Sequence, residues 1–188
     1  STSETYGTAQ YNPIDENHPL VGQSPYSATK IAADQLAISY YRSFKLPVKI
    51  VRPFNTYGPR QSARAIIPTI ICQIIDGTEN IKVGNLSPTR DLTFVTDTVN
   101  AFLSIFKSDD LIGEVTNIGM NKEISMSDLI DKVTKIMDVS VNIVQENERI
   151  RPGKSEVGQL LCDNTKLTTH TNWEAKYDLN SGLKATIQ

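Results

Sequence analysis

The first sixty residues combine a polar loop, a helical pattern and a short apolar run. Hydroxyl-rich residues 1–7 lead into the polar loop, after which Ser24 and the following proline supply a helix N-cap and a first helical residue. Apolar positions then recur at helical spacing up to Phe44, namely Ala28, Ala32, Ala33, Leu36, Ala37 and Tyr40. The β-branched run at 48–52 has the composition of a buried strand. This order predicts half of an α/β layer.

Beyond residue 60, shorter helices and strands alternate. Apolar runs predict strands at 80–83, 115–118 and 141–144. Helical spacing predicts three helices whose inward faces are Ile70, Ile71, Ile74 and Ile75; Val99, Phe102, Leu103 and Phe106; and Leu129, Ile130, Val133 and Ile136. Ser125 and Asp128 mark the start of the third helix as a capping box, and two short helices are expected around Leu167 and Leu183. We therefore expect a smaller α+β lobe after residue 60.

Composition narrows the class of protein. The 188 residues are 39% hydrophobic and 21% charged with a net charge of -2, which is typical of a globular domain and provides no basic surface for nucleic acid. No apolar run approaches the ~20 residues of a membrane span, and we expect no signal peptide. Cys72 and Cys162 lack metal-ligand spacing, so we expect reduced structural thiols in a cytoplasmic protein without membrane or nucleic-acid partners.

Tyr26 and Lys30 are the first residues that indicate chemistry. Because Ser24 caps the predicted helix, both fall in its first two turns, four residues apart and on one face. A lysine ammonium beside a phenol favours the phenolate form, which suits a base in alcohol oxidation near neutral pH. The same spacing also occurs by chance on exposed helices, so the pair alone leaves both interpretations open.

Four motifs follow one another along the chain. They are Thr2-Ser3-Glu4-x-Tyr6-Gly7, Tyr26-x-x-x-Lys30, Arg52-Pro53-Phe54-Asn55-Thr56-Tyr57-Gly58-Pro59-Arg60 and Arg90-Asp91-x-x-x-Val95-x-Asp97. Together with a C-terminal run from Arg151-Pro152 through Trp173 to Gly182-Leu183, they resemble the extended short-chain dehydrogenase/reductases that act on nucleotide sugars. The resemblance covers nearly the whole chain and favours the catalytic interpretation of Tyr26 and Lys30.

The resemblance implies an α/β fold. It places the C-terminal part of a Rossmann-like doubly wound sheet at 1–60 and a substrate-binding lobe at 61–188, from which some segments return to the sheet. It also implies NAD as cofactor, a nucleotide sugar as substrate and a homodimer formed through the Tyr26 helix. No glycine-rich dinucleotide loop, with an acidic residue about 20 positions further on, occurs in this sequence. We therefore expect the C-terminal portion of a longer enzyme, which by itself binds NAD weakly and turns over little substrate.

The implied catalytic residues are Thr2, Glu4, Tyr26 and Lys30. Tyr26 would take a proton from a sugar hydroxyl while the attached carbon gives hydride to NAD; Lys30 would hold the nicotinamide ribose, and Thr2 would hydrogen-bond the same sugar oxygen. Glu4 separates reaction classes, because a 4,6-dehydratase must remove the C5 proton and expel the C6 hydroxyl, whereas a 4-epimerase does neither. Ser3 stands where dTDP-glucose dehydratases have Asp, so Glu4 is expected to act as both base and acid.

Arginines and one amide are implied in holding the substrate. Arg90 and Arg151 occupy the family's diphosphate positions, where bidentate guanidinium groups match two negative charges. Asn55 would donate to a phosphate or sugar oxygen, whereas for Arg60 and Arg64 a solvated loop cation stays an open alternative. The implied cofactor-binding residues are Tyr26, Lys30, Pro53 and Asn55, and the implied substrate-binding residues are Asn55, Arg60, Arg90 and Arg151.

The nearest resemblance is to the nucleotide-N-acetylglucosamine 4,6-dehydratases that supply the legionaminic acid pathway, through the residues between Tyr26 and Lys30 and the stretch 61–68. We therefore expect an NAD-dependent 4,6-dehydratase of a UDP- or GDP-linked N-acetylglucosamine. A 4-epimerase or decarboxylase on the same scaffold, and a non-catalytic sugar-nucleotide-binding fragment, are the alternatives. His18 and His170 have no partner at metal-ligand spacing, so we expect surface or capping roles for them and no metal.

Overall fold

The computed structural model describes residues 1–146 and 157–188, and within them helices and strands alternate along the chain. The helices are α1 (Pro25–Phe44), α2 (Ile66–Ile75), α3 (Val95–Lys107), α4 (Met126–Met137), α5 (Thr165–His170) and α6 (Leu179–Ile187). The strands are β1 (Ile50–Pro53), β2 (Asn55–Tyr57), β3 (Asn80–Val83), β4 (Thr89–Phe94), β5 (Val115–Ile118), β6 (Glu123–Ser125), β7 (Asn142–Gln145) and β8 (Gln159–Leu160). Short 3-10 turns occupy Ser3–Tyr6 and Asp109–Leu111. The predicted α/β fold class is confirmed.

The strands of the described residues form three sheets. β1 pairs with β5 in parallel, and β3 pairs with β7 in parallel. β4 lies at the centre of the remaining sheet, with β2 and β8 parallel to it and β6 antiparallel. Because β2 follows β1 after a single residue, the chain passes directly from the first sheet to the sheet that contains β4. The division at residue 60 stays a prediction, although β5 returns to pair with β1.

The largest core cluster lies beneath α2, α4 and α6. α4 begins as predicted, since Ser125 Oγ accepts a hydrogen bond from the Asp128 amide at 3.0 Å. Its inward face is fully buried at Leu129, Ile130 and Val133. The clear helical spacing and the N-cap therefore predicted this element correctly, because both signals are local.

Two predicted inward faces are not covered by the described residues. On α1 the side chains of Leu36 and Tyr40 are 62% and 47% exposed, and on α3 that of Phe106 is 77% exposed. The buried positions of α1 are instead the polar Ser27 and Asp34. The expectation that these apolar stripes face the core of this chain is wrong, because the spacing of residues shows that a face is apolar but not which element packs on it.

Two further observations concern the chain's class. Within the described ranges, no helix combines the length and the apolar content that a bilayer crossing requires. Cys72 is exposed, Cys162 is buried, and both are free thiols.

Candidate active site

Thr2 and Glu4 lie in one short turn near the start of the chain. Thr2 caps the 3-10 turn, since its Oγ1 accepts from the Glu4 amide at 3.3 Å, and the Thr5 hydroxyl donates to the Thr2 carbonyl at 2.9 Å. Gly7 ends the turn at a φ of 65°, where a Cβ would lie 2.9 Å from Gln23 Oε1. Both predicted catalytic side chains are half-buried, and the turn fixes their relative positions.

Tyr26 and Lys30 lie at the start of α1, as predicted. Ser24 Oγ accepts from the Ser27 amide at 3.1 Å, and Ser27 Oγ accepts from the Ser24 amide at 3.0 Å, which forms a reciprocal capping box. Tyr26 is 54% exposed, and Lys30 Nζ lies 5.6 Å from the centre of its ring. The two side chains therefore share one accessible helix face.

A buried ion pair lies beside these two segments. Arg52 Nε and Nη2 both contact Asp34 Oδ2 at 2.9 Å, and Arg52 Nη1 donates to the Tyr6 hydroxyl at 3.0 Å. Desolvation raises the pKa of Tyr6 to about 12, so its hydroxyl stays protonated and donates to Asn117 Oδ1 at 2.7 Å. No role was assigned to Asp34 or Tyr6 from the sequence. The position of Asp34, one helical turn after Lys30, is the signal that could have identified it.

A cavity of about 370 Å³ brings together three of the predicted polar residues. Asn55 on β2 and Arg90 on β4 come from neighbouring parallel strands, and Arg64 reaches the cavity from the loop before α2. Arg60 is exposed, has a φ of 65° and is not part of the lining. Arg151 lies outside the described residues.

The cavity also contains residues that sequence analysis did not assign. Gln61 donates through Nε2 to the Thr56 carbonyl at 2.9 Å, and its buried Oε1 has no hydrogen-bond partner among the described residues. Asn55 Oδ1 is likewise buried without a partner. Lys82 and Asn85, at the end of β3 and just after it, also line the cavity. The Oε1 of Gln61 and the Oδ1 of Asn55 have almost no accessible surface, so a ligand in the cavity would reach them only after these side chains turn.

Asp91, the neighbour of Arg90, is a fully buried structural carboxylate. Its Oδ1 accepts from the Met120 amide at 2.7 Å and its Oδ2 from the Cys162 amide at 3.2 Å. Burial raises the pKa of Asp91 to about 6, and hydrogen bonds from the backbone, including those of Lys122 and Asn121, oppose this rise. The carboxylate ties β4 to the loop after β5 and to the segment after β8, so it helps to fix the strand that presents Arg90.

His18 differs from its expected surface position. It is 2% exposed, and its Nε2 accepts from the Gln10 amide at 2.9 Å while Nδ1 lies 2.9 Å from the Pro19 carbonyl oxygen. The ring also packs edge-on against Tyr6 with centroids 5.5 Å apart. The histidine therefore satisfies loop backbone groups inside the fold, which is a capping role in a buried location.

Comparison with known proteins identifies chains that are similar along the full length of this one. The family model described as GDP-mannose 4,6 dehydratase matches residues 1–186. The chain is 33% identical to the low-salt glycan biosynthesis protein Agl12 of Haloferax volcanii, over 100% of this chain and 59% of that protein. The dTDP-glucose 4,6-dehydratase of Bacillus anthracis, solved with NAD, matches with a TM-score of 0.88 and 28% identity, over 100% of this chain and 59% of that one.

A second kind of enzyme is equally similar in fold. The UDP-glucuronic acid 4-epimerase of Bacillus cereus, solved with UDP-glucuronic acid and NAD, gives a TM-score of 0.90 and 28% identity over 100% of this chain and 58% of that one. The predicted Rossmann-like fold is confirmed by these matches. The chain spans about three fifths of the length of each of these proteins.

Proposed function

This chain belongs to the GDP-mannose 4,6-dehydratase family of NAD-dependent epimerases and dehydratases, and on that basis we propose that the protein is a nucleotide-sugar 4,6-dehydratase. The observation that carries dehydration, rather than epimerisation alone, is the position of Glu4. Its carboxylate is half-buried in the same turn as Thr2, and Ser1 Oγ bonds that segment to Asp34 of α1 at 2.9 Å. A dehydratase needs such a carboxylate beside its tyrosine and lysine.

The residues present fit NAD as the cofactor. Tyr26 is more than half exposed and Lys30 lies beside it, so a nicotinamide ribose can reach both side chains. Tyr26, Lys30, Pro53 and Asn55 would hold the cofactor. When bound, NAD supplies the acceptor for the C4 hydride and the donor for its return to C6. Because the family's glycine-rich loop is not in this sequence, we expect tight NAD binding to need residues outside this chain.

Within this proposal, the side chains of the chain move protons. Tyr26 takes the proton of the C4 hydroxyl, and Thr2 hydrogen-bonds the same oxygen. The ketone formed at C4 makes the C5 proton acidic, and Glu4 removes that proton. Glu4 then returns it to the departing C6 hydroxyl, which leaves as water. After the hydride returns to C6, C5 takes a proton from solvent and Tyr26 releases the C4 hydroxyl proton to solvent, so the net change is the loss of one water.

The cavity supports a nucleotide diphosphate-linked sugar as the substrate. Arg64 and Arg90 place two guanidinium groups in its lining, which matches the charge of a diphosphate. Asn55 also lines the cavity, where its amide can donate to a phosphate or sugar oxygen, and the sequence resemblance favours an N-acetyl sugar. We therefore propose a UDP- or GDP-linked N-acetylglucosamine as the substrate, as in the legionaminic acid pathway.

We also propose a homodimer in the reducing cytoplasm. Leu36, Tyr40 and Phe44 recur every four residues along α1 and are 62%, 47% and 74% exposed. This row would pack against the same helix of a second subunit. The two free thiols suit a reducing compartment.

The mass of the product tests the proposed function. The complete gene product is incubated with NAD and a panel of UDP-, GDP- and dTDP-linked hexoses and N-acetylhexosamines, and the products are analysed by mass spectrometry. We expect loss of one water from an N-acetylglucosamine nucleotide. An unchanged mass with inverted C4 would indicate a 4-epimerase, which the similarity to the Bacillus cereus epimerase keeps as the second candidate. Loss of carbon dioxide from UDP-glucuronic acid, which joins the panel because hexoses and N-acetylhexosamines have no carboxylate, would indicate a decarboxylase. Binding without turnover would indicate a non-catalytic protein.

A further inference from the structure

One buried ion pair joins three chain segments that carry proposed catalytic or cofactor-binding residues. Arg52 contacts Asp34 Oδ2 through two nitrogens at 2.9 Å, and the two side chains are 3% and 5% exposed. The pair links strand β1 to helix α1. The guanidinium also lies over the Tyr6 ring, 4.9 Å from its centre, which adds the first turn of the chain to the cluster.

Asp34 attaches α1 on the side that carries the proposed catalytic pair. It follows Lys30 by four residues and Tyr26 by eight, a spacing that keeps all three on one side of the helix. Of the 20 residues of α1, only Ser27 and Asp34 are buried. This carboxylate is therefore one of the points that fix the helix to the rest of the described chain, together with the N-cap and with Tyr41, whose ring packs closely against Gly113.

The turn that carries Thr2 and Glu4 is bound at both ends to the same ion pair. On one side Ser1 Oγ donates to Asp34 Oδ2 at 2.9 Å. On the other side the Tyr6 hydroxyl accepts from Arg52 Nη1 at 3.0 Å and donates to Asn117 at 2.7 Å. A shift of the ion pair would consequently move this turn and α1 relative to each other.

The third segment is the strand end that leads to the cavity. Arg52 directly precedes Pro53 and stands three residues before Asn55, both of which we assign to cofactor or substrate binding. Its planar guanidinium donates in fixed directions, so two bonds to Asp34 and one to Tyr6 define the orientation of all three groups.

Stability alone does not account for such a pair, since well-packed apolar residues of similar volume often replace a buried ion pair without loss of stability. Geometry does account for it, because a misplacement of 1 Å in an active site can reduce the rate ~100-fold. We propose that Arg52 and Asp34 are positioning residues, which set Tyr26 and Lys30 of α1 against the turn that holds Thr2 and Glu4. This inference rests on the proposed function for its kinetic consequence and on the contacts themselves for its structural one.

The kinetic test uses the complete gene product and substitutions that preserve charge or shape. Arg52→Lys keeps the positive charge but loses the fixed fork, and Tyr6→Phe removes only the hydroxyl that links the turn to Arg52. Glu114→Gln is the matched control, because it breaks a half-exposed side-chain ion pair with Lys166 at 2.8 Å and leaves in place the hydrogen bond from the Ile50 amide to the Glu114 carbonyl. In variants that circular dichroism shows to be folded, we expect kcat to fall at least tenfold for Arg52→Lys and several-fold for Tyr6→Phe. KM for the sugar nucleotide is expected to stay within about twofold, and the control to match the unsubstituted protein.

A double-substitution cycle separates positioning from general destabilisation. If Arg52 acts through Tyr26, Arg52→Lys will reduce the residual rate of the Tyr26→Phe variant less than twofold further. Fully additive losses, or an unchanged kcat in folded Arg52→Lys, would overturn the inference.

Amide hydrogen exchange tests the same inference without any substrate. In Asp34→Asn, we expect faster exchange at residues 3–6 and in the first turns of α1, with unchanged exchange in α4. Unchanged exchange in the first two segments would overturn the inference. If the unsubstituted protein turns over no sugar nucleotide, the proposed function fails, and the exchange result by itself decides whether the ion pair holds these segments together.

Discussion

The indole nitrogen of Trp173 donates to the backbone carbonyl of Asp97 at 2.9 Å, across 76 residues of sequence. The Asp97 carboxylate is fully buried at the start of α3 and accepts from the amides of Lys176 at 3.1 Å and Tyr177 at 3.0 Å. Asp97, the last residue of the motif that begins at Arg90, therefore has a structural role. It attaches the C-terminal segment to α3, whereas Arg90 of the same motif lines the cavity.

Asp97→Ala is predicted to destabilise the protein. Two amides would lose their acceptor inside the fold, and each buried unsatisfied group costs about 1–3 kcal/mol. We expect the free energy of unfolding, measured with urea, to fall by about 2–4 kcal/mol. Asp110→Ala is the control, because the Asp110 side chain is 78% exposed and its closest charged contact, to His170, is 3.8 Å long. Equal stability of both variants would contradict the structural role of Asp97.

Tyr26→Phe is predicted to abolish turnover without loss of substrate binding. The substitution removes the hydroxyl that would accept the C4 proton but keeps the ring beside Lys30, and loss of a general base costs about 100- to 10,000-fold in rate. The rate is measured by mass spectrometry and binding by calorimetry. Tyr40→Phe, at another exposed tyrosine of α1, is expected to leave both values unchanged. Turnover within tenfold of the unsubstituted rate would remove Tyr26 from the chemistry.

Glu4→Gln is predicted to stop the loss of water. The amide cannot take the C5 proton or return it to the C6 hydroxyl, although it keeps the shape of the side chain. We expect sugar nucleotide to bind with nearly unchanged affinity and to be recovered with its original mass. Glu79→Gln, at an exposed glutamate before β3, serves as the control. Loss of binding with an intact fold would make Glu4 a substrate anchor instead.

Arg90→Ala and Arg64→Ala are predicted to weaken binding of the sugar nucleotide more than Arg60→Ala does. The first two side chains line the cavity and Arg60 does not. A hydrogen bond to a charged group contributes about 1.5–3 kcal/mol, so we expect the Kd from calorimetry to rise about 10- to 100-fold for each of the cavity arginines. Arg42→Ala, in the last turn of α1, is the charge-matched control. An effect of Arg60→Ala as large as that of Arg90→Ala would place the diphosphate elsewhere.

Asp91 is predicted to make stability depend on pH. Burial raises its pKa to about 6, compared with about 3.9 in an unfolded chain, so the native state holds this proton more tightly between those two values. The contribution of this group to stability is therefore complete below about pH 4 and is lost as the pH rises through 6. The difference between the pKa of Asp91 in the folded and in the unfolded state corresponds to about 3 kcal/mol in the free energy of unfolding over the whole titration.

Urea unfolding of the unsubstituted protein and of Asp91→Asn measures this effect. When the two free energies of unfolding are subtracted at each pH, the contribution of the carboxylates that both proteins share cancels. We expect that difference to change by about 2 kcal/mol between pH 4 and pH 7, in the direction that disfavours the unsubstituted protein at the higher pH. Parallel pH curves would show that Asp91 keeps its ordinary acidity.

Helices whose starts are marked by neighbouring residues could be predicted from the sequence alone. Ser24 and Ser125 set the starts of α1 and α4, because a capping side chain bonds to an amide three residues away. The same locality placed Tyr26 and Lys30 on one helix face. The resemblance of the motifs then identified the family to which the comparisons assign the chain.

Contacts between residues that are far apart in sequence became known only from the folded structure. Arg52 lies 18 residues from Asp34 and 46 from Tyr6, and nothing in the spacing of these three residues predicts their contact. The cavity likewise unites Asn55 with Arg90 through the pairing of β2 and β4, while it leaves Arg60 outside. The physical reason is that hydrogen bonds within a helix depend on neighbours three or four residues away, whereas burial and ion pairing depend on the path of the whole chain.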